Sequence, residues 1–217
     1  MALTKITGEG LGSLGTGNLT HGSDSGDTRF TLNSANQYTL VLKNAGNIAG
    51  QIGGSGSDVL RFSNAAGATI MEMNAGQITK PLQPAFLAKP SSNQLNVATD
   101  DVIAFGTEVF DRGANFASNT FTAPVGGLYN LTVSIRADNI DASAAYARIF
   151  MDTSNRDYFS IFDVDGMSAD PSHWTLIVTV LADMDANDTV SIKWSQSGGA
   201  NQADISTDTY FSGYLVA

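Results

Sequence analysis

The chain has 217 residues, 42% hydrophobic and 15% charged, with a formal net charge of -10 and no cysteine. The acidic balance argues against nucleic acid or an anionic membrane as partner, and the missing thiols exclude a disulfide framework, a thiolate metal site and a cysteine nucleophile. No apolar run reaches bilayer-spanning length, so membrane insertion is not expected, and the length suits one sizeable domain plus something smaller.

Residues 1–27 are rich in Gly, Ser and Thr, with single apolar residues Leu3, Ile6, Leu11, Leu14 and Leu19. Such a stretch has too little apolar surface to offset its own ordering entropy, so it reads as an extended arm. It is either a plain leader or an attachment peptide whose spaced leucines order on a larger partner. After Met1 the chain runs into Gly and Ser without the apolar core of a signal peptide, so synthesis in a cytoplasm is expected.

Residues 28–83 carry a loose repeat. Leu40-Val41-Leu42-Lys43, Leu60-Arg61-Phe62-Ser63 and Ile70-Met71-Glu72-Met73 each run into Asn, Ala and Gly. Asn and Gly tolerate the left-handed backbone of a tight turn, so each unit predicts a short strand closed by a turn. Units with one or two apolar side chains cannot bury a face alone and need stacked neighbours or other chains. Two arrangements follow: a thin stem in which three chains wrap strands around a common axis, or a small two-sheet domain within one monomer. Pro81 and Pro84 stiffen the joint at its end.

Beyond Pro84 the composition changes. Only three of the nineteen aromatic residues precede it, against fourteen of the 22 glycines, so the conventional core must lie in 84–217. This half also carries all of the excess negative charge. Short strands are predicted at 86–88, 102–105, 109–110, 116, 120–121, 128–135, 146–151, 158–164, 174–181, 189–194 and 209–216. That spacing, with turn residues between, marks an all-β sandwich without helices. Clearest is 128–135, where Leu131, Val133 and Ile135 alternate with Thr132, Ser134 and Arg136 behind the Pro124 and Gly126-Gly127 turn.

The order Phe121-x-x-Pro124-x-x-Gly127-x-Tyr129, then Asn187-Asp188-Thr189-Val190-Ser191-Ile192, then Tyr210-Phe211-Ser212-Gly213-Tyr214-Leu215 resembles the globular domain of the C1q/TNF superfamily. The likeness spans 84–217, beginning with the entry strand at Phe86. It departs where the family has Gly-Asp and this chain has Asn187-Asp188. The resemblance implies a ten-stranded jelly roll that assembles as a homotrimer. It also implies that Phe86, Phe121, Pro124, Gly127, Tyr129, Phe211 and Gly213 are structural motif positions. The opening A-L-T-K-I-T-G-E-G-L-G-S-L is similar to the start of many bacteriophage fibre and virion appendage proteins. That likeness implies that Leu3, Ile6, Leu11 and Leu14 belong to an attachment arm for other virion proteins of a capsid or tail.

No catalytic constellation is visible. His21 and His173 lack partners at useful spacing, and no serine sits in a nucleophile elbow. Asp163 and Asp165, before Gly166, with Asp170 make a fragment of a calcium loop without its bidentate Glu; solvated turn residues are the default reading. Apart from that calcium option no cofactor is expected. Tyr129, Phe150, Phe211 and Tyr214 read as core or threefold interface in preference to a sugar platform.

Together these readings expect a non-enzymatic homotrimer, assembled in a host cytoplasm and exposed on a virion surface. The first expectation is a head fibre or capsid decoration protein; the alternative is a short tail fibre or adhesin for a host surface receptor, glycan or protein.

Overall fold

The computed structural model describes residues 37–44, 47–55, 59–74 and 76–217, and those residues form strands and loops without a helix. The arm at 1–27, with Leu3, Ile6, Leu11 and Leu14, lies outside the described residues.

The first sheet is an antiparallel meander of β1 (Gln37–Asn44), β2 (Asn47–Ser55), β3 (Leu60–Asn64), β4 (Thr69–Asn74) and β5 (Gln77–Thr79), in that order across the sheet. Its turns use the chemistry expected of them. The Asn64 side-chain carbonyl accepts from the amides of Ala66 (3.1 Å) and Ala68 (2.9 Å), and Gly67 takes a φ of +82°. Gly76, at φ +79°, closes the β4–β5 hairpin. The repeat predicts three strands here, and β2 and β5 are returns it does not show. Every strand pairs within its own chain in a single sheet. Among the described residues this part is therefore one sheet and not the two-sheet domain.

Residues beyond Pro84 form a two-sheet sandwich. One sheet has the order β13 (Trp174–Met184), β10 (Gly127–Asp138), β16 (Tyr210–Leu215), β6 (Ala85–Lys89), β7 (Thr107–Arg112), with β15 (Asp204–Ile205) on the far end of β10. The other has the order β12 (Asp157–Asp163), β11 (Tyr146–Thr153), β14 (Thr189–Ser197), β9 (Thr120–Thr122), β8 (Phe116–Ala117). The chain changes sheet between β7 and β8, β9 and β10, β10 and β11, β12 and β13, β13 and β14, and β14 and β15. That alternation between layers is the winding of a jelly roll.

The core lies between the layers. Alternation on β10 sends Tyr129, Leu131, Val133 and Ile135 inward, all fully buried, to meet Ile149, Met151, Ile192 and Trp194 from the opposite sheet. At its centre Phe86 stacks on Phe121 (4.6 Å) and Phe116 (5.1 Å) and meets Phe211 edge-on (4.9 Å). Such aromatic packing adds specificity of geometry to the area buried.

Two expectations are corrected. Residues 102–105 are not a strand: Val102 makes one isolated bridge to Lys193, and Ile103 donates its amide to the Ile192 carbonyl at 2.8 Å. This segment covers the edge of β14 that β9 leaves open, so Ile103 and Phe105 are buried without regular pairing. Of the two readings, core or threefold interface, the core one fails for Phe150 and Tyr214, because both stand on outward-facing positions of their strands. Tyr214 is 49% exposed, and Phe150 packs on the exposed Phe159.

Candidate functional site

The motif positions explain the frame of the sandwich. Phe86, Phe121, Tyr129 and Phe211 are buried, and the Tyr129 hydroxyl donates to the Val125 carbonyl at 2.8 Å, pinning the Pro124–Gly127 turn. Burial pushes the Tyr129 phenol up, with the Val125 bond partly opposing it. Gly213 faces the core where a Cβ would lie 2.6 Å from Leu131 Cδ2 and 2.8 Å from Phe86 Cε1. Gly127 abuts the Ala217 carbonyl, again leaving no room for a side chain. Asn187 takes φ +75°, so the departure from Gly is accommodated by the residue best able to adopt that backbone.

Outside the core, the face of the β13-β10-β16-β6-β7 sheet that points away from the sandwich is uncovered among the described residues. Its rows run Leu181, Asn130, Tyr214, Ala85 and Thr179, Thr132, Ser212, Leu87, Phe110, with Ile177, Ser134 and Tyr210 beyond. Ile177 is 56% exposed, Leu181 52%, and Phe110, Tyr210 and Tyr214 are all more than 40% exposed. The polar groups among them are the Asn130 amide, small hydroxyls and, at the end of the Ala85 row, Arg112; Thr132 and Thr179 bond to each other at 3.2 Å. A patch of large apolar side chains and hydroxyls with one charged residue, Arg112, at its edge is what an assembly interface presents before it closes. Alternation foretells which residues face outward, but not that no described residue covers them.

The opposite layer carries a second outward feature. Arg148 lies over the rings of Phe150 (4.2 Å) and Tyr146 (5.3 Å), and Phe150 meets Phe159 at 6.3 Å. Beside them Lys193 pairs with Asp152, which raises the ammonium pKa. Loss of hydration, followed by the Asp152 neighbour, raises that of Asp157.

The tip farthest from the meander is acidic. Asp138, Asp141, Asp163, Asp165, Asp170, Asp204 and Asp208 lie at strand ends or in loops there. Asp138 and Asp208 hold Arg136, and Asp138 also bonds His173 Nδ1 at 2.9 Å. The Asp141 carboxylate is held below the usual range by the amide of Ala200, then by the amide and hydroxyl of Ser143. The calcium candidates do not converge. Asp163 Oδ1 accepts from the Asp165 amide (3.0 Å), while Asp170 accepts from the Ala142 amide and Gln202 Nε2, both at 2.8 Å. Among the described residues no group of three or more acidic or histidine side chains is arranged to hold a metal ion.

A two-layer jelly roll with a core-facing Phe86–Phe121–Tyr129–Phe211–Gly213 frame defines an all-β sandwich class. Within that class, the C1q domain family matches residues 85–216, and the chain belongs to it. Similar solved structures include the globular domain of zebrafish complement 1qA (14% identity, 62% of this chain and 98% of that one, TM-score 0.48). Others are the Eiger TNF of S. frugiperda (10%, 63% and 92%, 0.48) and murine APRIL (10%, 62% and 99%, 0.46). No curated protein matches the chain.

Proposed function

We propose that this chain is a homotrimeric structural and adhesive protein of a bacteriophage virion. In this reading it is a head fibre or capsid decoration protein, anchored by its N-terminal arm and displaying a C1q knob. It is not an enzyme. The observation that carries the trimer is the uncovered face bearing Ile177, Leu181, Phe110, Tyr210 and Tyr214, which a monomer would leave in water. Threefold association would bring three acidic tips together, so weak contacts to a host surface gain avidity. The virion placement is supported by the opening sequence and the arm's spaced leucines, and the capsid by the shortness of the β1–β5 sheet.

Leu181→Arg with Tyr214→Arg tests the assembly. The full-length variant should keep its β circular dichroism and fall from trimeric to monomeric mass; an unchanged trimeric mass would refute the assignment of this face. Antibody against the knob should label purified particles, and its absence from them would remove the virion placement. The adhesin reading, as a short tail fibre, is favoured by the outward-facing Arg148–Phe150–Phe159 group, of which Phe159 is exposed. There Phe159→Ala should abolish adsorption to host cells while leaving the trimer intact.

A further inference from the structure

The β1–β5 meander has two unlike faces. One carries the row Leu40, Ile52, Phe62, Met71, the row Leu60, Met73, Ile78, and Leu42 with Gly50 and Asn64. The other carries Val41, Gln51, Ser63, Arg61, Glu72 and Thr79, with Arg61 Nε donating to Glu72 at 2.7 Å. So one face is apolar and without an ionisable group across these rows, and the polar face keeps its charges paired. Yet no described residue between 37 and 83 is buried: Leu40, Leu42, Leu60, Met73 and Ile78 are exposed, and Ile52, Phe62 and Met71 are half-buried. A one-sided sheet of this kind needs a cover to be stable.

Size decides what the cover is. Five strands about 4.8 Å apart and about five residues long project a face of about 20 Å by 17 Å, on the order of 350 Å². A stable interface between free partners takes about 800 Å² from each. This face alone cannot capture a protein from solution, but it can close against one already held beside it. Only a few residues separate it from the knob: β5 ends at Thr79, β6 begins at Ala85, and between them Pro84 accepts a bond from the Leu215 amide at 3.1 Å. Each copy in a knob trimer would therefore bring its own meander to the others at high effective concentration.

We infer that the Leu40–Ile52–Phe62–Met71 face is a second assembly interface, where three complete sheets from three copies of this chain pack apolar face to apolar face about the trimer axis. The inference rests on the homotrimeric reading of the knob. Each chain contributes a finished meander, so the stem is a prism of sheets and its strands are not interleaved. The polar faces, with Arg61 and Glu72, form its outside.

The chain has no native cysteine, which makes the test clean. Facing sheets sit about 10 Å apart, beyond the Cα separation of about 7 Å that a disulfide tolerates, so a short bismaleimide is the probe. Full-length Ile52→Cys should give a crosslinked two-chain band in denaturing gels. The neighbouring Gln51→Cys, on the opposite face, should give none. Light scattering on the same samples keeps the two readings apart. Trimeric mass with Ile52→Cys uncrosslinked overturns the inference and leaves the face to residues 1–36 or to another protein. Equal crosslinking at both positions also overturns it, because the contact is then not face-specific. A monomeric mass overturns the knob reading and this inference with it.

Discussion

Gly213→Ala adds one methyl group at the most crowded point of the knob. Its Cβ would stand 2.6 Å from Leu131 Cδ2 and 2.8 Å from Phe86 Cε1, and neither neighbour can step aside freely. Leu131 is fully buried, and the Phe86 ring is held by Phe116, Phe121 and Phe211. Gly213 has no positive φ, so the strain is one of packing alone. Overpacking of this kind costs about 1–3 kcal/mol. The smaller unfolded-state entropy of Ala returns about 0.4–1 kcal/mol, leaving a net loss of about 1–2 kcal/mol. Leu131→Ala removes the closer obstacle and by itself costs about 2–5 kcal/mol through the cavity it leaves. In the double variant the new methyl occupies part of that cavity. The two penalties should then fall short of their sum by about 1–2 kcal/mol, within the range seen for residues in contact. The assay is denaturant unfolding of the full-length protein at one fixed concentration, since an oligomer's stability depends on it. Penalties that add to within about 0.5 kcal/mol would refute the contact.

Three further outcomes follow from the same geometry. Tyr129→Phe should cost about 0.5–1.5 kcal/mol by leaving the Val125 carbonyl without its donor. Because burial raises the Tyr129 phenol, its contribution is complete below about pH 10 and lost as pH rises through the raised value, so the variant's alkaline unfolding should be shallower. Asp141 is shifted the other way by Ala200 and Ser143. Its stabilisation is present above the ordinary carboxylate pKa and lost as pH falls through the lowered value, so Asp141→Ala should flatten the decline of stability below about pH 4. Because Asp163 and Asp170 serve different loops, adding calcium or a chelator is expected to leave the melting temperature unchanged; a calcium-dependent rise abolished by Asp163→Asn would show that the ion gathers them.

The knob is legible in sequence where burial is one-sided. Strict alternation on β10 and the small residue in the middle of β16 fix which side chains enter the core, because a strand with one wet face must repeat every second residue. Residues 102–105 mislead because Ile103 and Phe105 are buried by capping an edge, which leaves the same apolar signal as a strand. Phe150 and Tyr214 mislead for a related reason: an aromatic in a strand announces burial, but not whether its own chain or another supplies the cover. In the meander, Leu60, Phe62, Met71 and Met73 alternate visibly. The returns are hidden because β2 alternates isoleucine with glycine and β5 has only Ile78, so their apolar face exists only after pairing. The acidic tip is equally invisible in one dimension, since β10–β15 pairing brings Asp138 to Asp204 and the Ala142 amide holds Asp170, all across long separations.

The central claim is that this C1q chain works as a trimer. Light scattering on the full-length protein tests it most directly, from high to low micromolar concentration at moderate salt. The account predicts a single species of three times the 22.7 kDa chain mass, persisting on dilution. A stable species at 22.7 kDa, with Ile177, Leu181 and Tyr214 still in water, would contradict it.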